Sequence, residues 1–257
     1  MEPKRMRRHP AALLLAAALL ASTGGCAVRP ADKASPGELM LLGQEDLRAE
    51  RYESARQAFQ RLLREYPDSN HRREALLNLA NSYYQGEEYI EARVQYAEYV
   101  QLYPVSRQTP QAYYYLGMSD YNRILAPDQE QAVTRDALKS FQELVRRFPR
   151  SEFTAQAKER IQSLRDQLAR HHLHIARFYL TKGKRVSAIP RFQEVIKEFA
   201  DQPGLRAEAM FFLAESYMLE ESYQKAGEAY RSLIKEYPAN PLSQRAHQRL
   251  VSLSGTR

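Results

Sequence analysis

The chain of 257 residues has no tryptophan, a single cysteine (Cys26) and only 10 glycines. One thiol leaves no partner for an internal disulfide. So few glycines, with 44% apolar residues, suit a mostly helical body without a long disordered tract. No apolar run approaches the roughly 20 residues that span a bilayer as a helix. The longest stretch free of polar side chains, Ala11–Ala21, is AALLLAAALLA.

Signatures of chemistry are missing as well. There is no Gly-rich phosphate loop and no HExxH helix, so no enzyme, cofactor or metal site is expected. His171, His172 and His174 tempt as a cluster, and 171 and 174 share a helical face. No carboxylate or further histidine stands at ligand spacing, which leaves ordinary packing or surface as their reading. The formal charge of +7 includes +3 within residues 1–25; the remaining +4 is interspersed. Without a basic block or a groove-reading motif, no nucleic-acid partner is expected.

What the chain does have is seventeen tyrosines and a repeat. Leu213–Pro238, LAESYMLEESYQKAGEAYRSLIKEYP, puts Leu213, Ala214 and Tyr217 on one helical face. After a polar break at Glu220–Ser222, Ala226, Tyr230 and Leu233 form a second stripe that Pro238 ends. This helix–turn–helix pattern resembles a tetratricopeptide (TPR) unit. Four upstream copies carry the same anchors: Gly43, Ala55, Phe59 and Pro67; Ala80, Ala92, Tyr96 and Pro104; Gly117, Ala137, Phe141 and Pro149; Ala176, Ala188 and Phe192, with Ala200 in the proline position. The second-helix alanines are 37, 45, 51 and 38 residues apart, two intervals near the TPR period of about 34 and two with insertions. The expected fold is all-α: a right-handed superhelical solenoid of five TPR-like hairpins with a C-terminal capping helix. The repeats fall at about 37–70, 71–107, 109–150, 152–201 and 205–238, and the cap at 241–253.

Within this frame, Thr109-Pro110 reads as an N-cap and N1 pair, and Ile124–Arg135 as a long loop inside the third hairpin. Ser151 reads as the cap of a segment without glycine or proline up to Gly183. One helix, or two end to end, should run on the order of 40 Å there at 1.5 Å per residue. Pro190 should start or kink the helix after it.

The first 25 residues read as an export signal. Lys4 to Arg8 precede the short apolar run, and Thr23-Gly24-Gly25 leads to Cys26. This end resembles a bacterial lipobox, which implies acylation of Cys26, with residues 26–36 as a tether; the plain alternative is a stray thiol in a tail. Two acyl signals anchor a protein far more firmly than one. Ala27, rather than an aspartate, favours the outer membrane by the same resemblance.

Asp136–Gly183 is similar to the D component of the bacterial β-barrel assembly machinery. Phe148-Pro149-Arg150-Ser151, Lys158–Ala169 and Ala176–Tyr179 carry the pattern; Arg185, Pro190 and Ala200 depart from it. The resemblance implies a non-enzymatic scaffold, lipid-anchored at the periplasmic face of the outer membrane. Its implied partners are the periplasmic domains of the central barrel protein, unfolded outer-membrane proteins and other assembly lipoproteins. A periplasmic TPR adaptor for cell-wall synthesis, division or pilus assembly is the alternative. TPR resemblance also implies that first helices line a groove, which puts Asn81, Tyr84, Tyr114, Met118 and Tyr121 on a peptide-binding face, Asn81 toward backbone and the rings toward side chains. The competing reading has the tyrosines simply filling space between repeats. Alignment to the family puts Arg191 on the surface that docks the central barrel protein. Phe192 must face the core, so Arg191 reaches outward; a solvated arginine is the bland alternative.

Overall fold

The computed structural model describes residues 34–255, and Cys26, the signal and most of the tether lie outside these residues. Among the described residues every element is a helix. In chain order these are α1 (Pro36–Arg48), α2 (Tyr52–Glu65), α3 (Arg72–Gln85), α4 (Tyr89–Leu102), α5 (Thr109–Tyr121), α6 (Ala132–Arg147), α7 (Thr154–Thr181), α8 (Arg185–Glu198), α9 (Pro203–Leu219), α10 (Tyr223–Glu236) and α11 (Pro241–Gly255). Each helix packs on the one before and the one after it. First helices also touch, α1 with α3, α3 with α5, α7 with α9 and α9 with α11. Consecutive helical hairpins stacked in this way form a solenoid.

The anchors explain why these pairs close. Ala55, Ala92, Ala137, Ala188 and Ala226 are fully buried, and Phe59, Tyr96, Phe141, Phe192 and Tyr230 beside them keep 1% exposure or less. Across the hairpin stands a small residue: Gly43, Ala80, Gly117, Ala176 or Ala214. A Cβ on Gly43 would lie 2.5 Å from the Phe59 ring, and one on Gly117 would lie 2.8 Å from that of Phe141. The helices approach so closely there that the ring fills the missing side chain's space.

Four hairpins turn the same way. Glu50, Glu87, Gly183 and Glu221 take left-handed φ values of 56° to 69°. The amide after each reaches back five residues, as in Arg51 N to Asp46 O and Glu88 N to Tyr83 O, which is a Schellman closure of the helix end. Between repeats, an aromatic caps each second helix: Tyr66, Tyr103, Phe148, Phe199 and Tyr237. Its carbonyl accepts the amide three residues on, at Ser69, Ser106, Ser151, Gln202 and Asn240. Arginines then stitch neighbouring repeats. Arg56 binds Glu88 and lies over Tyr83, Arg93 binds Asp120 and Asp136, and Arg177 binds Glu208.

Several local expectations change. Pro36 belongs to α1, where Ser35 and Glu38 form a capping box, so the helix begins inside the expected tether. Thr109 is not the cap of α5. Gln108 holds that place, and the Thr109 hydroxyl donates to Tyr103 O, beside the Ser106 amide that the same carbonyl accepts. Ser151 likewise sits before the cap Phe153, accepting its amide. The third-hairpin loop is shorter than Ile124–Arg135, since α6 starts at Ala132. Gln131 is buried and its side chain donates to Ala126 O and Gln129 O, which folds the loop onto itself. Segment 154–181 is one helix of 28 residues. Pro190 lies inside α8, exposed, rather than starting it.

Candidate functional site

A tyrosine-rich face runs over the ends of α3 and α5 onto α7. Tyr84 is half-buried, its ring edge-on to Tyr89 at 5.5 Å, Tyr96 at 6.4 Å and Tyr115 at 4.9 Å. Its hydroxyl accepts Asn122 Nδ2 at 3.2 Å. Burial pushes the Tyr84 phenol above its ordinary pKa, so it stays a neutral donor and acceptor. Asn81 accepts the Tyr96 hydroxyl on Oδ1 at 2.7 Å, while its Nδ2 reaches only Asn78 Oδ1, at 3.4 Å. An amide whose carbonyl is fixed and whose N–H groups are weakly engaged suits a peptide carbonyl.

Met118 and Tyr121 are half-buried against the same core. The Tyr121 hydroxyl meets Ser163 Oγ of α7 at 3.3 Å, and the Arg160 guanidinium lies 4.9 Å over its ring. Tyr114 is different. It keeps 7% exposure, wedged against Tyr115, Phe141 and Phe153, so most of its ring is core. Asn81, Tyr84, Met118 and Tyr121 therefore share a face that Tyr114 supports from beneath. Tyr115, Asn122, Arg160 and Ser163 complete it and were not singled out from the sequence. They come from a neighbouring turn or a different helix, which periodicity within one helix does not join.

Arg191 sits apart, in the fourth hairpin. Phe192 points inward with no exposure, and the Arg191 side chain is 47% exposed, its Nη1 3.2 Å from Glu194 Oε2. A cleft of about 380 Å³ lies beside it, walled by Tyr179, Ser187 and Pro190. The same Glu194 oxygen stands 3.2 Å from Nδ1 of His172. This carboxylate comes from α8, a partner that spacing along α7 could not reveal. Burial lowers the pKa of His172, with Glu194 pulling the other way. His171 is spent on the third-hairpin loop, its Nδ1 2.6 Å from Pro127 O, and Gln167 donates to Leu125 O. His174 opens on a second cleft with Arg170, Arg177 and Phe178.

The family model for the outer membrane lipoprotein YfiO matches residues 32–230. The chain belongs to the YfiO family of outer membrane lipoproteins. Among curated relatives, the outer membrane protein assembly factor BamD of Caulobacter vibrioides is 29% identical over 82% of this chain and 70% of its own length. BamD of Neisseria meningitidis serogroup A is 27% identical over 82% of each chain, and that of Haemophilus influenzae is 27% identical over 82% and 84%. Solved structures share less. The yeast Sti1 TPR2AB domain in its complex with an HSP90 peptide is 15% identical, covers 86% of this chain and 83% of its own, and has a TM-score of 0.44, too low to bear on function. Among the described residues of this YfiO family member, no helix is long and apolar enough to cross a membrane.

Proposed function

We propose that this YfiO-family protein is a non-enzymatic scaffold for assembling outer-membrane proteins, held at the periplasmic face of the outer membrane by an acylated Cys26. The face of Asn81, Tyr84, Met118 and Tyr121 receives extended segments of unfolded outer-membrane proteins, with Tyr114 as its support. The surface around Arg191 docks the periplasmic domains of a central barrel protein, and other assembly lipoproteins join the same complex. The reading is carried by the family match over 32–230 together with relatives of similar length that are assembly factors. Phenol rings half in and half out of the core offer apolar area and hydrogen bonds at low entropic cost, which favours extended peptide over a rigid partner. The exposed Arg191 can exchange Glu194 for a partner's carboxylate.

A mild-detergent pulldown from native membranes tests the reading. A large outer-membrane barrel protein should co-purify, and Arg191→Ala should weaken that complex at least about tenfold while Lys184→Ala leaves it. Recovery without any barrel protein would overturn the scaffold role. Equal, small effects of the two substitutions would move the docking surface elsewhere. Cys26→Ala should leave the protein soluble, and normal outer-membrane fractionation of that variant would overturn the anchor.

A further inference from the structure

Among the described residues nine cations lie against an aromatic ring, and four of them also hold a carboxylate: Arg56 has Glu53 and Glu88, Arg165 has Asp201, Arg177 has Glu208 and Arg206 has Glu236. Arg160 does not. It is half-buried on the second turn of α7, stacked over Tyr121, and no carboxylate among the described residues stands within ion-pair distance. Its neighbours are phenols. Burial works against its charge, and the Tyr121 and Tyr114 hydroxyls outweigh that, so its pKa lies above the ordinary value. Such a guanidinium is held in place by a ring and neutral oxygens, with its charge unmet. Ser163 Oγ, bonded to the same Tyr121 hydroxyl, adds a donor beside it.

We infer that Arg160 is an anion-reading subsite at the α7 end of the tyrosine face, and that it takes a carboxylate of the bound peptide. The inference rests on the peptide-binding reading above and adds a chemical preference to it. A planar guanidinium binds a carboxylate through two parallel N–H donors, and the Tyr121 ring beneath fixes the plane of that fork. The rest of the face is neutral: Tyr84, Asn122, Asn81 and Met118 bring no charge. Charge selection therefore falls to this one position. An acidic side chain and a free carboxyl terminus offer the same group.

Three short synthetic peptides of alternating serine and phenylalanine separate these possibilities, with the full-length chain in mild detergent as receptor. The first has a central aspartate and both ends blocked. The second has asparagine there and a free carboxyl terminus, and the third has asparagine and both ends blocked. The first, the second or both should bind at least about fivefold tighter than the third, a modest charge-assisted contact. Whichever shows the gain names the source of the carboxylate. Arg160→Gln should erase the gain, so that the first two peptides bind no tighter than the third to the same variant, and Arg160→Lys should restore part of it. The gain on the unsubstituted chain should also shrink with added salt, a readout that holds even if a variant fails to fold. Equal binding of all three peptides, or a gain that survives Arg160→Gln, would overturn the subsite while leaving the peptide face intact. No binding of any peptide would overturn both.

Discussion

Gly117 has no room for a methyl group, since the Phe141 ring already lies 2.8 Å from where its Cβ would be. Gly117→Ala should cost about 1–3 kcal/mol through overpacking, read as a lower denaturant midpoint with an unchanged slope. His172 adds a dependence on pH. It faces Glu194 and Arg191 of α8, His171 of its own helix and the Phe199 ring. Burial holds its pKa below the ordinary 6.5, so at mildly acidic pH the unfolded chain takes up a proton that the folded chain refuses. Stability should fall as pH drops from about 6.5, and His172→Gln should flatten that fall in thermal midpoints taken between about pH 5 and 8. A steeper fall in the variant would mean that other groups govern the acid limb. The residues that set the repeat were legible in the sequence because small and aromatic anchors recur at fixed spacing. The His172–Glu194 contact was not, since its partners are 22 positions apart on different helices. The burial of Tyr114 was left open: the groove register put it on the face, the space-filling reading put it in the core, and Phe153, just before α7, closes over it.

The same turn closes four hairpins, and in three of them a glutamate occupies the left-handed position. Glycine usually stands there because side chains other than glycine lose about 1–2 kcal/mol in that conformation. Glu87→Gly should therefore stabilise the protein by about 0.5–1 kcal/mol after the extra freedom of the unfolded glycine is deducted, seen as a higher thermal midpoint. A decrease would show that the Glu87 side chain contributes more than its backbone costs. Sequence reading placed breaks at Glu220–Ser222 and at Gly183 without the turn, because polar residues and glycine mark the gap but do not reveal its geometry. The third hairpin lacks this turn. Its loop folds around the buried Gln131 and leans on Gln167 and His171 of α7, contacts no local pattern could announce.

Stacking between neighbours makes stability a local property of the whole chain. Helix α11 covers α10 with the buried Ala246, and its Arg249 pairs with Glu215, which also accepts the Tyr230 hydroxyl. Deleting residues 241–257 should speed hydrogen exchange in α9 and α10 while α1 to α6 keep their protection. Uniform loss along the chain would mean a single cooperative unit instead. The sequential packing carries a consequence for how the fold is reached. Contacts between helices fall mostly between helices consecutive in the chain, a topology of low contact order, which speeds folding. A hairpin has all it needs once its second helix is present, and the next one docks on a finished surface. A chain delivered amino end first can thus fold in the order in which it arrives, leaving only its newest helix without a partner.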